Sequence, residues 1–375
     1  SNLKRIALNH FEKGKITGNY ELIFDEKFKI TNYLAEGYVK NFHAKVNKNL
    51  KLENSSFLYF IEKNSLDLKN FKGSLNNLLI SEGNLNLSSS DEIEITSDFK
   101  SSIQINLKEI KKILPKDKDY LDKTLSDLFI TSNLTNEIKL KIDKTRQISD
   151  YSFSGIGNIS KTKISLKNPI ESNIIKKKIE FIDIDKSKIE IKFNKKIFST
   201  DFDGNYSIDG KNYNTFKFKN IQAKEANNIS IDLDFDETLF IDLINYKSSD
   251  TSQKIKASIV QKEKKLLFTQ INYINDDDFI NIYNLEFDEL GKINKLEKIE
   301  LNTKLNKKTN NAFTIEIKKD IEIKGKKFDA TQLLSIINKK DEKSNFYKLS
   351  KNINITLDKI NTGFKDQNII QNFNL

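Results

Sequence analysis

A two-residue rhythm runs through almost the whole chain and constrains its fold more than any other feature. Ile103-Gln104-Ile105-Asn106-Leu107, Ile138-Lys139-Leu140-Lys141-Ile142, Ile189-Glu190-Ile191-Lys192-Phe193 and Ile229-Ser230-Ile231-Asp232-Leu233-Asp234-Phe235 alternate apolar with polar residues. Shorter copies follow at Ile315-Glu316-Ile317, Ile321-Glu322-Ile323 and Ile353-Asn354-Ile355-Thr356-Leu357. Successive side chains of a strand point to opposite faces, so each segment predicts a strand with one dry and one wet face. That is the habit of antiparallel sheets. Turn-forming clusters such as Ser88-Ser89-Ser90-Asp91 and Asp276-Asp277-Asp278 separate the strands.

Helical spacing is scarce. Leu107 to Leu114 predicts a short helix stopped by Pro115. Tyr120 to Phe129 predicts a second, with Asp117 or Asp119 as its cap, and Thr331 to Asn338 a third, behind Asp329. A weak internal repeat is also visible. Phe71-Lys72-Gly73, Phe153-Ser154-Gly155 and Phe202-Asp203-Gly204 each open a similar hairpin phrase, and Lys15-Ile16-Thr17-Gly18 is a looser copy. The spacing varies, so this is a recurring hairpin with a Gly-permitted bulge, not a fixed-period solenoid.

Composition narrows the chemistry. Apolar residues make up only 37% of the 375, little for a compact chain that would bury roughly three quarters of its surface. A thin or grooved architecture fits better. Cysteine is absent, which excludes disulfides, zinc ribbons, iron–sulfur sites and thiol nucleophiles. His10 and His43 are the two histidines, too few for a multi-histidine metal site. The formal charge of +10 is carried by Lys, with Arg5 and Arg146 the two arginines. Nucleic-acid recognition leans on Arg, so no nucleic-acid partner is expected. No stretch approaches the roughly 20 apolar residues of a membrane helix, and no signal peptide opens the chain. The lack of any Met reads as an excised piece of a longer chain, with any anchor outside it.

The acidic run Asp232, Asp234, Asp236 and Glu237 has a calcium-loop look, but apolar residues interleave and the loop glycine is missing. It reads as the wet face of a strand. Lys176-Lys177-Lys178 and the cluster Lys262, Lys264, Lys265 read as solvated faces or guarded edges. Tyr206, Tyr213 and Phe216 are the nearest approach to a glycan-stacking platform, and they read as core. Neither a Gly-x-Ser-x-Gly elbow nor a Gly-rich phosphate loop occurs. The chain does not read as an enzyme, and no catalytic residue, metal or cofactor is expected.

What remains is the amphipathic sheet. If its strands curl into a gutter, the apolar faces line one dry groove. Apolar contact is non-directional and gains about 25 cal/mol per Å2 buried, which suits an acyl chain. If a second sheet covers the same face, the result is an ordinary sandwich core. Periodicity leaves the two open. The residues assigned to the lining are Ile103, Ile105, Leu107, Ile189, Ile191, Phe193, Ile231, Leu233 and Phe235, with a helix near 117–129 able to plug or cap the groove.

The C-terminal stretch adds a resemblance. Ile321-Glu322-Ile323-Lys324-Gly325-Lys326-Lys327-Phe328-Asp329-Ala330, the short helical segment after it, and Asn352-Ile353-Asn354-Ile355-Thr356-Leu357-Asp358-Lys359-Ile360 resemble the strand, Gly-x-x-Phe-Asp turn, helix and return strand of the AsmA-like superfamily, most nearly its YhdP-type branch. Gly325, Phe328 and Asp329 match that motif as turn, buried plug and helix cap. The resemblance implies an all-β, elongated, mostly antiparallel and twisted β-groove with a few short helices. Its parts would be 1–114, a helical interruption at 115–130, 131–320, and the motif at 321–375. It further implies a bridge-like lipid-transfer protein, held in the periplasm by an inner-membrane anchor and taking phospholipid acyl chains as partners. The alternative is a non-catalytic structural or adhesive envelope protein with a closed core.

Overall fold

A computed structural model describes residues 11–45, 51–113, 118–223, 226–249, 252–262, 265–289, 291–333, 352–363 and 369–375. Strands hold 77% of the residues and helices 5%, and 21 strands belong to one sheet that is antiparallel at every described pairing but one. The all-β, mostly antiparallel class with a few short helices is therefore observed. The chain divides into two units, Ser1–Asn168 with Phe181–Gly204, and Pro169–Glu180 with Asn205–Leu375. This division does not coincide with the boundaries read from the sequence.

The first unit is a meander. Its strands are β1 (Phe11–Phe24), β2 (Ile30–Lys45), β3 (Lys51–Glu62), β4 (Ser65–Leu75), β5 (Leu78–Ser89) and β6 (Ile93–Asn106), then β7 (Leu125–Ile142) and β8 (Ile148–Ser172). Each pairs antiparallel with the next. Helices α1 (Leu107–Ile113) and α2 (Lys118–Thr124) join β6 to β7. Strands β9 (Lys177–Asn194) and β10 (Phe198–Ser207) follow and pair with each other. An Asn106–Glu109 capping box starts α1: Asn106 Oδ1 accepts the Glu109 N–H at 3.1 Å, and Glu109 Oε2 accepts the Asn106 N–H at 3.0 Å.

The predicted helix at Tyr120–Phe129 is half right. The helix ends at Thr124, and Leu125, Leu128 and Phe129 open β7. Leu128 pairs with Ile164, and Phe129 with both Lys163 and Asn106. The ladder to β8, joined at Phe129 by the ladder to β6, outweighs the helical spacing of a few apolar residues there. Of the predicted helix at Thr331–Asn338, only 331–333 are described, as a turn in which the Leu333 N–H reaches Ala330 O at 2.9 Å. The remainder lies outside the described residues, as do Leu114, Pro115 and His10.

The second unit continues with β11 (Asn214–Gln222), β12 (Asn227–Phe235), β13 (Phe240–Ile241), a 3-10 turn at Asp242–Ile244, β14 (Tyr246–Lys247), β15 (Gln253–Lys262), β16 (Lys265–Asn275) and β17 (Asp278–Phe287). It ends with β18 (Ile293–Lys295), β19 (Lys298–Leu305), β20 (Lys308–Ile317), β21 (Ile321–Asp329), β22 (Ile353–Asn361) and β23 (Ile369–Asn374). The ladder runs β11, β12, β15, β16, β17, β19, β20, β21, β22, β23. The exception to antiparallel pairing is β21 with β22, where the connection through 330–352 is long enough for a parallel return.

Candidate functional site

In the first unit the alternation lines up across strands. Ile61, Leu66, Leu87, Ile95, Leu140 and Tyr151 stand directly opposite one another from β3 to β8. Tyr59, Leu68, Leu85, Ser97, Ile138 and Phe153 form the next row. Phe193 of β9 extends it, its ring stacked on Phe153 at 5.0 Å between centroids. At the other side Phe11, Phe42, Phe57 and Phe71 touch in sequence at 5.2, 6.0 and 5.7 Å. One face of this sheet is thus mainly apolar, with Ser97 among its apolar rows.

Among the described residues, the close backbone neighbours in this unit are ladder neighbours, and the helices with the strands they join. Most of its apolar side chains stay half-buried. Yet Ser101, Ser132 and Asn136, on the same face, are only 6%, 6% and 3% exposed. Small side chains are hidden this well when larger neighbours lean over them. Asn136 is satisfied inside it, donating to Ser101 Oγ at 2.8 Å.

The opposite face is a ladder of charges and amides: Lys100 with Glu82 at 2.8 Å, Lys141 with Glu94 at 2.6 Å, and Asn84 with Asp98 at 3.0 Å. These exposed pairs contribute little to stability but leave no ambiguity about which side meets water.

The second unit's sheet has a matching row, Leu233, Ile255, Tyr273, Ile280, Leu301 and Phe313. Here Tyr273, Ile280, Leu301 and Phe313 of the row are buried. Residues 236–249 fold back over it, and Leu239, Ile244 and Tyr246 join Phe235, Tyr273, Leu301, Phe313 and Leu357 in one buried core. Buried polar groups fasten this plug. Asn311 Nδ2 donates to Ile244 O at 2.7 Å, Asn245 Nδ2 to Asp329 Oδ2 at 3.0 Å, and Gln253 Nε2 to Glu237 O at 2.8 Å. The hydroxyls of Tyr246 and Tyr273 lie 3.0 Å apart, and Tyr273 donates onward to Gln253 Oε1 at 2.9 Å. Burial pushes the Asp278 carboxyl above its ordinary range, against the opposing hydrogen bond from Tyr246.

The residues assigned to the lining therefore meet different fates. Ile103, Ile189 and Ile191 are half-buried, and Phe193 is exposed. Ile105 is buried where Leu107, which opens α1, and Leu128 crowd the junction of helices and strands. Ile231 and Leu233 stay half-buried. Phe235 is a correction: it packs into the plugged core beside Tyr273 and lines no open face. Gly325 is a second correction, because it lies inside β21 and not at a turn. A Cβ there would meet Phe313 Cα and Cβ at 2.5 Å, so the glycine serves a close strand approach. Phe328 is half-buried, edge-on to Phe313 at 5.2 Å. Asp329 is buried and accepts the Thr331 N–H at 3.1 Å, which holds the turn after β21. The plug was not foreseen. The break in alternation at Leu239-Phe240-Ile241-Asp242-Leu243-Ile244 was its one signal.

The other singled-out groups have internal partners. Asp232 and Asp234 face Lys256 and Lys254 across the wet side of β12 and β15, at 3.6 and 3.2 Å. Lys177 pairs with Glu237, Lys178 with Glu180 at 3.3 Å, and Lys176 lies 3.8 Å above the Phe240 ring. Phe216 is buried against Tyr206, whose hydroxyl donates to Asp234 O at 2.9 Å and is pushed up to about 12 by burial. Tyr213, read as core, is 47% exposed, which corrects that expectation. Backbone N–H groups of Asn212 and Lys211 hold Asp209 down at about 2. Among the described residues no group of acidic or histidine side chains could hold a metal ion, and no helix is long and apolar enough to cross a membrane. Comparison of the chain with family models, with curated proteins and with solved structures found no match.

Proposed function

We propose that this chain is a segment of an AsmA-like, YhdP-type lipid-transfer protein that shields phospholipid acyl chains in an apolar β-groove. It works without catalysis, in the periplasm between inner and outer membrane, tethered through an anchor outside the segment. The observation that carries this reading is the row of apolar side chains Ile61, Leu66, Leu87, Ile95, Leu140 and Tyr151, which crosses six successive strands of the first unit and stays half-buried or exposed. Such a face is costly in water, and an acyl chain is the ligand that satisfies it without specific polar contacts. The sealed core of the second unit favours the other reading, a structural or adhesive envelope protein, and the two are separable.

The test is purification without detergent, native mass spectrometry for co-purified lipid, and uptake of a labelled phospholipid. Bound phospholipid is expected, and Leu85→Asp or Ile138→Asp should abolish it while the fold persists, because both side chains are half-buried. Thr96→Asp, on the wet face opposite Lys139, should leave uptake unchanged. A lipid-free, monodisperse chain that refuses the labelled phospholipid would transfer the assignment to the structural reading.

A further inference from the structure

Strands β12 and β15 form an unbroken hairpin ladder, from Asn227 opposite Gln261 to Phe235 opposite Gln253. The chain that joins them, 236–252, is far longer than such a ladder needs. Later hairpins of the same unit close through two residues, between Asn275 and Asp278 and between Leu305 and Lys308. The described part of the connection, 236–249, adds no strand to the large sheet: β13 and β14 pair with each other in a two-stranded sheet of their own. Connections this long inside a compact unit are characteristically lids or binding loops.

The insertion lies on the dry face of its own hairpin. Leu239, Ile244 and Tyr246 pack there with Phe235, Tyr273, Leu301 and Phe313, while Leu243 of the same segment is 55% exposed. Polar ties hold it down. Asn311 and Asn310 donate to Ile244 O and Asn245 O at 2.7 and 3.1 Å, and Asn245 donates to Asp329 Oδ2 at 3.0 Å. The Phe240 N–H reaches Ile174 O at 2.7 Å, and Gln253 donates to Glu237 O at 2.8 Å. Water can replace each of these bonds, and the backbone ladder from β12 to β15 is made without them. Beneath the insertion the row Leu233, Ile255, Tyr273, Ile280, Leu301 and Phe313 crosses six strands. Strands lie about 4.8 Å apart, so the row is roughly 24 Å long, the length scale of an extended lipid tail.

We propose that residues 236–249 are a displaceable lid over a second acyl-chain site, and that a phospholipid tail takes the row beneath when the lid lifts. The inference rests on the reading of this chain as an acyl-chain carrier. It adds that the second unit is a gated site, closed by its own hairpin connection. Leu239, Ile244 and Tyr246 hold the place of the tail, and the apolar contact they make is the non-directional kind an alkyl chain reproduces.

The test compares three proteins mixed with vesicles of phosphatidylethanolamine and phosphatidylglycerol: the wild type, a chain in which an Asn-Gly turn joins Phe235 directly to Gln253, and Asn245→Gly. The last keeps the left-handed backbone at 245, φ 46°, and removes the tie to Asp329. Native mass spectrometry counts phospholipid per chain. Both variants are expected to carry more than the wild type. The chain has no cysteine, so Leu243→Cys on the lid and Ser258→Cys on the wet face of β15, both exposed, can be spin-labelled as a pair. Vesicles should add a second, longer separation between the two labels. If the turn variant fails to fold, Asn245→Gly and the labelled chain decide. Lipid taken by the variants and not by the wild type also supports the lid. Equal loading of all three proteins with an unmoved label separation overturns the lid and leaves the carrier reading standing. Lipid refused by every protein overturns both.

Discussion

Two glycines show how single residues shape this sheet. A Cβ on Gly73 would meet Ser55 Oγ at 2.2 Å, and one on Gly204 would meet Ser187 Oγ at 2.0 Å. Both serines are wholly buried, and each follows a residue with positive φ, Asn54 at 50° and Lys186 at 49°. In two of the three Phe-x-Gly phrases the glycine is therefore half of a two-strand motif whose partner is an inconspicuous Asn-Ser or Lys-Ser, while Gly155 stands over Phe153 and Asn136 instead. The phrase was legible in sequence; the serine beneath it was not, because the pairing that brings them together spans different strands. Asp278 shows the opposite limit. As the last of three aspartates it reads as a hairpin tip, yet it is 9% exposed beneath Tyr246. Its folded carboxyl sits above the unfolded value, so its contribution is full below the ordinary carboxylate range and is lost as pH rises through the raised value. Asp278→Asn should raise the melting temperature at neutral pH and change it little in acid, as a calorimetric pH series would record.

At the scale of elements, alternation predicts strands well because each segment carries its own two-faced pattern. The failures lie where that pattern is interrupted. Leu125 to Phe129 offers apolar residues at helical spacing, but the ladder to β8 claims them, and β6 pairs Phe129 as well. The plug at 236–249 has almost no regular structure of its own, and side-chain hydrogen bonds to the sheet beneath define it. Asn311 is central: it donates to Ile244 O and to Thr303 Oγ1, and its Oδ1 accepts the Asp329 N–H at 2.8 Å. Asn311→Leu leaves those groups buried without their partner and should cost about 2–4 kcal/mol. Denaturant titration would measure that loss, and limited proteolysis should show new cleavage within 236–249. An unchanged midpoint would mean that the apolar contacts of Leu239, Ile244 and Tyr246 hold the plug unaided.

Taken whole, the molecule distributes its stability unevenly. The buried apolar cluster lies in the second unit, while the first holds its apolar side chains half-exposed on one layer. Denaturant should therefore unfold the chain in two transitions, the first unit earlier, and amides of β1 to β5 should exchange faster than those of β15 to β20. A single cooperative transition seen by all probes would refute this. The sequence by itself determined strand identity, the dry and wet side of each strand, and the cation–carboxylate pattern of the wet face, because these depend on neighbours one or two residues away. Only the tertiary structure decided which dry faces are sealed and which stay open. Covering a face depends on whether a distant segment such as 236–249 folds over it, and that contact leaves no periodic trace in the chain.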